Sequence, residues 1–305
     1  MNEKTEIRSG YVTVIGRPNV GKSTLINKFL GQKIAAVSAK PQTTRRRQLG
    51  ILTEDRAQVI FVDTPGLHIP QHKLGDYMNQ EATEGLLDAD LILWLVDSTS
   101  APTNEDTLIA EKLKNYKNLP PVLMALSKSD LTNEQTLPER KKASLELFPA
   151  KDVLSFSSSS GIGLEELKSK IIEFLPIGEA FFDEETVTDY YERDIAGELI
   201  REAVLFHVRD EVPHCIAVRV DGYKERENEQ AYIEATILVE RDSQKGILIG
   251  QKGEMIKKIG TLARQEIESM SGKKVYLDLR IKVNKNWRNS PDALQWLGYS
   301  ARGND

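Results

Sequence analysis

The amino-acid sequence predicts an α/β domain with a mostly parallel sheet flanked by helices, followed by a smaller α+β domain. Two patterns carry that expectation. As far as residue 175, short β-rich apolar runs alternate with longer stretches of helical periodicity, which is the mark of βαβ units. Beyond residue 190 the order becomes helix, two strands, two helices and a strand, which is not a continuation of that alternation. A length of 305 residues also suits two domains better than one.

Taken in order, strands are expected over 11–15, 48–52, 58–62, 91–96, 121–126 and 153–156, and helices over 103–116 and 164–174. Residues 176–189 hold Pro, Gly and the acidic run Asp183-Glu184-Glu185 and read as a linker. The domain boundaries are therefore set at 1–177, 178–190 and 191–305. After the linker come a helix over 191–208, strands over 216–220 and 232–239, two helices flanking 250–253, a strand over 275–283 and a short helix after Pro291.

Composition narrows the class. The one cysteine, Cys215, excludes a disulfide framework and fits a reducing compartment. The first ten residues are polar and lack the apolar run of a secretory leader, and the longest apolar run, 91–96, is far too short to span a bilayer. The expected place of work is the cytosol. A net charge of −5 conceals an asymmetry: residues 1–240 hold 28 Lys+Arg and 39 Asp+Glu, whereas 241–305 hold 13 and 7. A basic C-terminal fifth on an acidic body can attract a polyanion, with a solvated basic face as the plainer alternative.

Gly16-Arg17-Pro18-Asn19-Val20-Gly21-Lys22-Ser23 fits GxxxxGK[ST], and it follows an expected strand and opens a helical pattern that continues through Thr24. The glycines let backbone N–H groups wrap phosphates, and the helix N-terminus favours their charge. Lys22 is placed on the β/γ-phosphates and Ser23 on Mg²⁺. Asp63-Thr64-Pro65-Gly66 follows the run 59–62; Asp63 can hold Mg²⁺ directly or through water, and Gly66 can offer its N–H to a γ-phosphate. In Lys40-Pro41-Gln42-Thr43-Thr44-Arg45 a threonine should close over the metal, with Thr44 preferred and Thr43 as the alternative. Arg45, Arg46 and Arg47 read as solvated or phosphate-attracting surface. His68 and His72 read as exposed loop polarity rather than catalytic bases.

The base should be read by Ser127-Lys128-Ser129-Asp130, after the run 121–126. Asp130 can accept from N1–H and the N2 amine of guanine, whereas adenine presents an acceptor at N1. The stretch resembles the NKxD motif of translation-type GTPases, with Ser127 where those have Asn. Loss of that brace would cost about 1–3 kcal/mol. Ser157-Ser158 stands where such proteins have Ser-Ala, whose contact to the base is a backbone N–H that serine keeps. Leu67 occupies the position of the water-orienting Gln of many GTPases, so unaided turnover should be slow, at about 10⁻⁴–10⁻² s⁻¹.

Gly250-Gln251-Lys252-Gly253 fits GxxG, a pattern short enough to occur by chance about once per chain. Its surroundings carry the argument: Ile247, Leu248 and Ile249 precede it, Met255, Ile256 and Ile259 follow with helical spacing, and Val275 to Val283 alternate as a half-buried strand. Two helices joined by such a loop beside a sheet form a KH domain, whose groove takes about four unstacked nucleotides. Ile249 and the loop would line the groove, and Lys252, Lys257 and Lys258 would supply charge. Trp287, Trp296 and Tyr299 read as packing residues.

The helix–strand–strand–helix–helix–strand order resembles the type II KH arrangement. With GRPNVGKS, KPQTTR and DTPG in this order, and the tail KVNKNWR followed by Leu297-Gly298-Tyr299, residues 10–300 resemble the Era family of bacterial GTPases, within the TrmE–Era–EngA class. The resemblance implies GTP/GDP and Mg²⁺ as ligands, hydrolysis of GTP, and binding of 16S ribosomal RNA in assembly of the small ribosomal subunit. It also implies potassium-stimulated hydrolysis, with K⁺ held by Asn19 in the class that has a hydrophobic residue at position 67. It implies no DNA partner; a monomer is expected, and peripheral contact with the inner face of the cell membrane has been attributed to the family. Two other readings remain at this stage: a metabolic P-loop kinase, and a binding module with weakened guanine selectivity or lost hydrolysis.

Overall fold

The computed structural model describes residues 7–38, 40, 42–67, 69–226 and 230–299. Its contacts divide the chain into two units, one of Met1–Gly31, Thr44–Ile69 and Met78–Asp189, the other of Gln32–Thr43, Pro70–Tyr77 and Tyr190–Asp305. The chain order is β1 (Ile7–Ile15), α1 (Lys22–Leu30), β2 (Gln48–Glu54), β3 (Ala57–Asp63), α2 (Lys73–Glu84), β4 (Leu91–Asp97), α3 (Asn104–Lys114), β5 (Val122–Ser127), α4 (Leu137–Leu147), β6 (Asp152–Ser155), α5 (Leu164–Phe174) and β7 (Ile177–Gly178). It continues with α6 (Glu192–His207), α7 (Val212–Cys215), β8 (Ala217–Arg226), β9 (Gln230–Val239), α8 (Asp242–Ile249), α9 (Glu254–Ser271), β10 (Lys274–Val283) and α10 (Pro291–Trp296).

In the first unit the sheet runs β2-β3-β1-β4-β5-β6, with the short β7 on β1. All pairs from β3 to β6 are parallel, while β2 and β7 pair antiparallel. Every residue of β3 and β4 is buried, as a parallel sheet covered on both faces requires. The register sets Val14 beside Asp63, Ile15 beside Trp94 and Asp97 beside Ser127, so the carboxyl ends of four strands share one edge. Ligands of open parallel sheets bind at that edge.

The stretch expected to be a linker is instead bound along this unit. Gln58 Oε1 accepts from the amides of Phe181 at 2.7 Å and Phe182 at 3.0 Å. Ile51 donates its N–H to the Val187 carbonyl at 2.9 Å, and Leu49 donates to Asp189 Oδ1 at 2.9 Å. The outer strand β2 thereby satisfies backbone groups that a sheet edge would leave bare.

In the second unit a three-stranded sheet, β10-β9-β8, pairs β9 with β10 in parallel and with β8 antiparallel. Ile233, Ala235, Ile237 and Ile281 face Leu199, Ile200 and Ala203 of α6 and Ile259, Ala263 and Ile267 of α9 in one core cluster. Trp287 is fully buried and donates Nε1–H to the Cys215 carbonyl at 2.9 Å, and Tyr299 is also buried, so both pack as expected. Trp296 departs from that expectation: it is half exposed, and the Arg219 guanidinium lies 3.6 Å over its ring. Among the described residues no helix is long and apolar enough to cross a membrane.

Candidate nucleotide and RNA sites

The turn from β1 into α1 carries the candidate phosphate site. Gly16 has φ +149, and a Cβ there would meet the Leu95 carbonyl at 2.6 Å, so nothing larger fits beside β4. Asn19 takes φ 62 without being glycine, a conformation that costs about 1–3 kcal/mol and survives where the surroundings impose it. Lys22 is buried in the turn and donates Nζ–H to the carbonyls of Gly16 at 3.0 Å and Arg17 at 3.2 Å. Burial pushes its pKa down to about 8, against the pull of Asp63 and Glu105. The loop thus holds one cation in reserve on carbonyls that a phosphate oxygen can displace.

Three oxygens converge next to it. Ser23 Oγ donates to Asp63 Oδ2 at 2.7 Å and lies 2.8 Å from Thr44 Oγ1, which is 3.2 Å from the same carboxylate oxygen. Thr43 is turned elsewhere, its hydroxyl donating to the Lys40 carbonyl at 2.7 Å. Burial raises the Asp63 pKa, with Ser23, Lys22 and Thr44 opposing the rise, and Asp63 Oδ1 is buried with no hydrogen-bond partner. A desolvated carboxylate with one oxygen unused and the other held by two hydroxyls fits a hard cation such as Mg²⁺. The described residues contain no group of three or more His, Cys, Asp or Glu side chains that could hold a metal by themselves.

Thr64 donates its hydroxyl to the Val14 carbonyl at 2.7 Å, fixing the chain after β3, and Gly66 passes against Pro18 of the phosphate loop. Leu67 belongs to the apolar core with Ile15 and Trp94 and is 1% exposed. Arg45 corrects an expectation: it is 1% exposed and is no part of a solvated surface. His68 lies outside the described residues, and His72 is half-buried, 3.5 Å from Asn289 Nδ2.

For the base, Ser127 Oγ is buried and donates to the Val20 carbonyl at 2.8 Å, tying β5 to the phosphate loop. The hydroxyl thus holds β5 to the phosphate loop at the position where the resemblance places asparagine. Lys128, in the left-handed region at φ 59, pairs with Asp97 Oδ2 at 2.8 Å, and Arg17 reaches the same oxygen at 3.1 Å. Burial raises the Asp97 pKa, but hydrogen bonds from Lys128 and Thr99 outweigh it and the net shift is downward. Sequence reasoning missed Asp97; the signal was a carboxylate ending the apolar run of β4 at the same sheet edge as Ile15.

Asp130 is exposed, and its pKa is lowered by hydrogen bonds from Ser157 first and Ser159, whose Oγ donates at 3.0 Å. Its charge is ready for donors, and a base would have to complete the burial on which rejection of adenine depends. Ser129 donates its N–H to the Phe156 carbonyl at 3.1 Å. Ser157 commits its own N–H to the Ile162 carbonyl at 2.9 Å.

In the second unit, Gly250 (φ 70) ends α8, and a Cβ there would lie 2.7 Å from Met255 Cβ. Lys252 takes φ 50 between Gly250 and Gly253. Ile249, Gln251, Lys252, Lys257 and Lys258 are exposed, while Leu248 and Ile259 enter the core. The loop therefore offers Gln251 and Lys252 to solvent, with Lys257 and Lys258 of α9 and the apolar Ile247 and Ile249 of α8 exposed beside it.

Residues 11–128 match the family described as 50S ribosome-binding GTPase, and 211–288 match the KH domain family. The chain is 44% identical to GTPase Era of Ruminiclostridium cellulolyticum over 297 residues, 97% of this chain and 99% of that one. It is 45% identical to GTPase Era of Halothermothrix orenii over 294 residues, 96% and 98% of the two chains. Two solved structures, Aquifex aeolicus Era bound to GDP.AlF4- and Era in complex with MgGDPNP and nucleotides 1506-1542 of 16S ribosomal RNA, each superpose with TM-score 0.92 at 36% identity, covering 97% of this chain and all of theirs. The chain belongs to the Era family of GTPases, with an N-terminal GTPase domain and a C-terminal KH domain.

Proposed function

We propose that the protein binds GTP and GDP with Mg²⁺, hydrolyses GTP slowly, and binds 16S ribosomal RNA through its KH unit in assembly of the small ribosomal subunit. The observation that carries this is the full-length match to an Era solved with MgGDPNP and 16S ribosomal RNA nucleotides. In this reading residues 1–177 handle the nucleotide and 191–305 the RNA.

Gly16 to Thr24 wrap the phosphates, with Lys22 leaving its carbonyl partners for them. Ser23, Thr44 and Asp63 hold Mg²⁺, which neutralises charge developing on the β/γ oxygens. The Gly66 N–H, in the Asp63-Thr64-Pro65-Gly66 run, senses the γ-phosphate. Asp130 and the Ser158 amide read guanine, with Ser127, Lys128 and Ser129 holding their loop. No side chain at position 67 orients the water, so hydrolysis depends on positioning by Asn19 and the backbone, with K⁺ as the stimulating ion. Cytosolic work as a monomer belongs to the same proposal; peripheral membrane contact has only the family resemblance behind it.

The test is RNA binding by the full chain, loaded with a non-hydrolysable GTP analogue, to a fragment matching the 3′ end of 16S ribosomal RNA. Gln251→Asp/Lys252→Asp places two anions on the loop and should weaken binding by about 10²-fold while GDP affinity stays within twofold. Unchanged RNA affinity would remove the KH loop from the account.

A further inference from the structure

The stretch between α1 and Thr44 belongs by its contacts to the second unit, and side chains of α6 and α9 hold it there. Glu202 accepts from Lys33 Nζ at 2.7 Å and from the Val37 N–H at 3.1 Å, and Glu266 takes the same lysine at 2.8 Å. Arg201, one residue before Glu202, is 1% exposed. Its guanidinium is anchored one turn back, Nε donating to Glu198 Oε2 at 3.1 Å. From that anchor Nη1 reaches the Gln42 carbonyl at 3.5 Å and Nη2 donates to the Thr43 carbonyl. The next residue is Thr44, whose hydroxyl meets Ser23 and Asp63.

A rigid, planar fork aimed at two successive carbonyls fixes the direction of the peptides that carry them. The backbone shows the constraint independently: Gln42 sits at φ 62, in the left-handed region that a non-glycine side chain keeps where the surroundings impose it. Burial matters too, because a buried guanidinium that loses its acceptors finds no water to replace them. We propose that Arg201 is a positioning residue for Thr44: by holding the Gln42 and Thr43 carbonyls it sets how the chain delivers the Thr44 hydroxyl to Asp63 and Ser23. This inference rests on the reading of Thr44 as a metal ligand.

The experiment is single-turnover GTP hydrolysis by the full-length protein against Mg²⁺ concentration, with GDP affinity and thermal melting measured in parallel. Arg201→Gln should raise the half-saturating Mg²⁺ and lower the plateau rate, each about tenfold, with GDP affinity within twofold. Arg201→Lys, keeping one donor head, should fall between. Because the effect runs through one hydroxyl, Arg201→Gln/Thr44→Ala should be no worse than Thr44→Ala alone. An unchanged Mg²⁺ dependence in Arg201→Gln, or additive losses in the double variant, would overturn the proposal. If Arg201→Gln does not fold, Glu198→Ala removes the anchor and leaves the fork; it must shift the Mg²⁺ requirement in the same direction, and no shift overturns the proposal equally. Should Thr44→Ala itself leave the Mg²⁺ dependence unchanged, the metal role of Thr44 fails and takes the inference with it.

Discussion

The two glycine loops to which we assign phosphate contact are built in opposite ways. In both, a glycine is wedged so tightly that a Cβ would overlap a neighbour, at Leu95 for Gly16 and at Met255 for Gly250. In both, a non-glycine residue is held at positive φ, Asn19 in one and Lys252 in the other. The loop after β1 keeps its cation, Lys22, buried on its own carbonyls. The loop after α8 keeps Lys252 exposed, with Lys257 and Lys258 exposed beyond it. A buried cation in fixed geometry suits a small, highly charged ligand read one atom at a time. Exposed cations around bare backbone suit a long polyanion whose counterions are released on binding.

The sharpest way to break this comparison is to remove the buried cation. Lys22→Ala should weaken GTP-analogue binding by about 10²–10³-fold, the scale of charge-assisted hydrogen bonds lost from a desolvated site, with RNA affinity of the nucleotide-free protein unchanged. Competition with a fluorescent GDP checks the first half and filter binding the second. Equal losses of both ligands would show that the lysine serves the fold rather than the phosphates.

Salt separates the loops next. If the three exposed lysines each neutralise one phosphate, raising KCl from 50 to 200 mM should cut RNA affinity about tenfold to twentyfold. GDP affinity should change far less, because Lys22 is screened little where it sits. A salt response shared by both ligands would contradict the burial argument.

Protonation gives a smaller but signed effect. Lys22, pushed down to about 8 in the nucleotide-free protein, regains its charge beside a phosphate, so binding above that pH takes up a proton. GDP affinity should then fall as pH rises from 8, by at most about tenfold per unit. The nucleotide-free protein should move the other way. Between about 8 and the ordinary lysine value of 10.5 the unfolded chain holds a proton that the folded one has lost, so stability gains as pH rises through that window. Calorimetry at pH 9 in two buffers of different ionisation enthalpy measures the uptake; none would contradict the reading.

The least effect is expected at Ser127. Its hydroxyl already braces the Val20 carbonyl, so Ser127→Asn should alter GDP affinity by no more than about threefold, the worth of half a hydrogen bond. A gain of a hundredfold would mean that the brace is insufficient.

Legibility in the sequence followed the same division. The phosphate loop could be read because its residues are contiguous and each does one chemical thing; Thr44 and Asp63 lie within reach of Ser23 as the motif order suggested. The KH loop could be read only through the apolar spacing around it. What escaped notice acts across long separations or through backbone groups. Helix α4 buries only Ser144, so no apolar stripe marked it. Arg201 is buried because its acceptors are main-chain carbonyls some 160 residues away, which no side-chain pattern records. Arg45, first of three arginines, looked solvated by composition and is buried by its place in the fold. The acidic stretch after β7 looked free, yet the Gln58 side chain, interior to a strand, binds its backbone.

The most direct test of the whole account is competition of GDP, ADP and XDP for the Mg²⁺-containing protein against a fluorescent GDP. If Asp130 reads guanine from the loop that Ser127 braces, GDP should win over ADP and XDP by about a thousandfold, near 4 kcal/mol. ADP competing on equal terms would contradict the assignment of this site to guanine, and with it the switch on which the RNA-binding account depends.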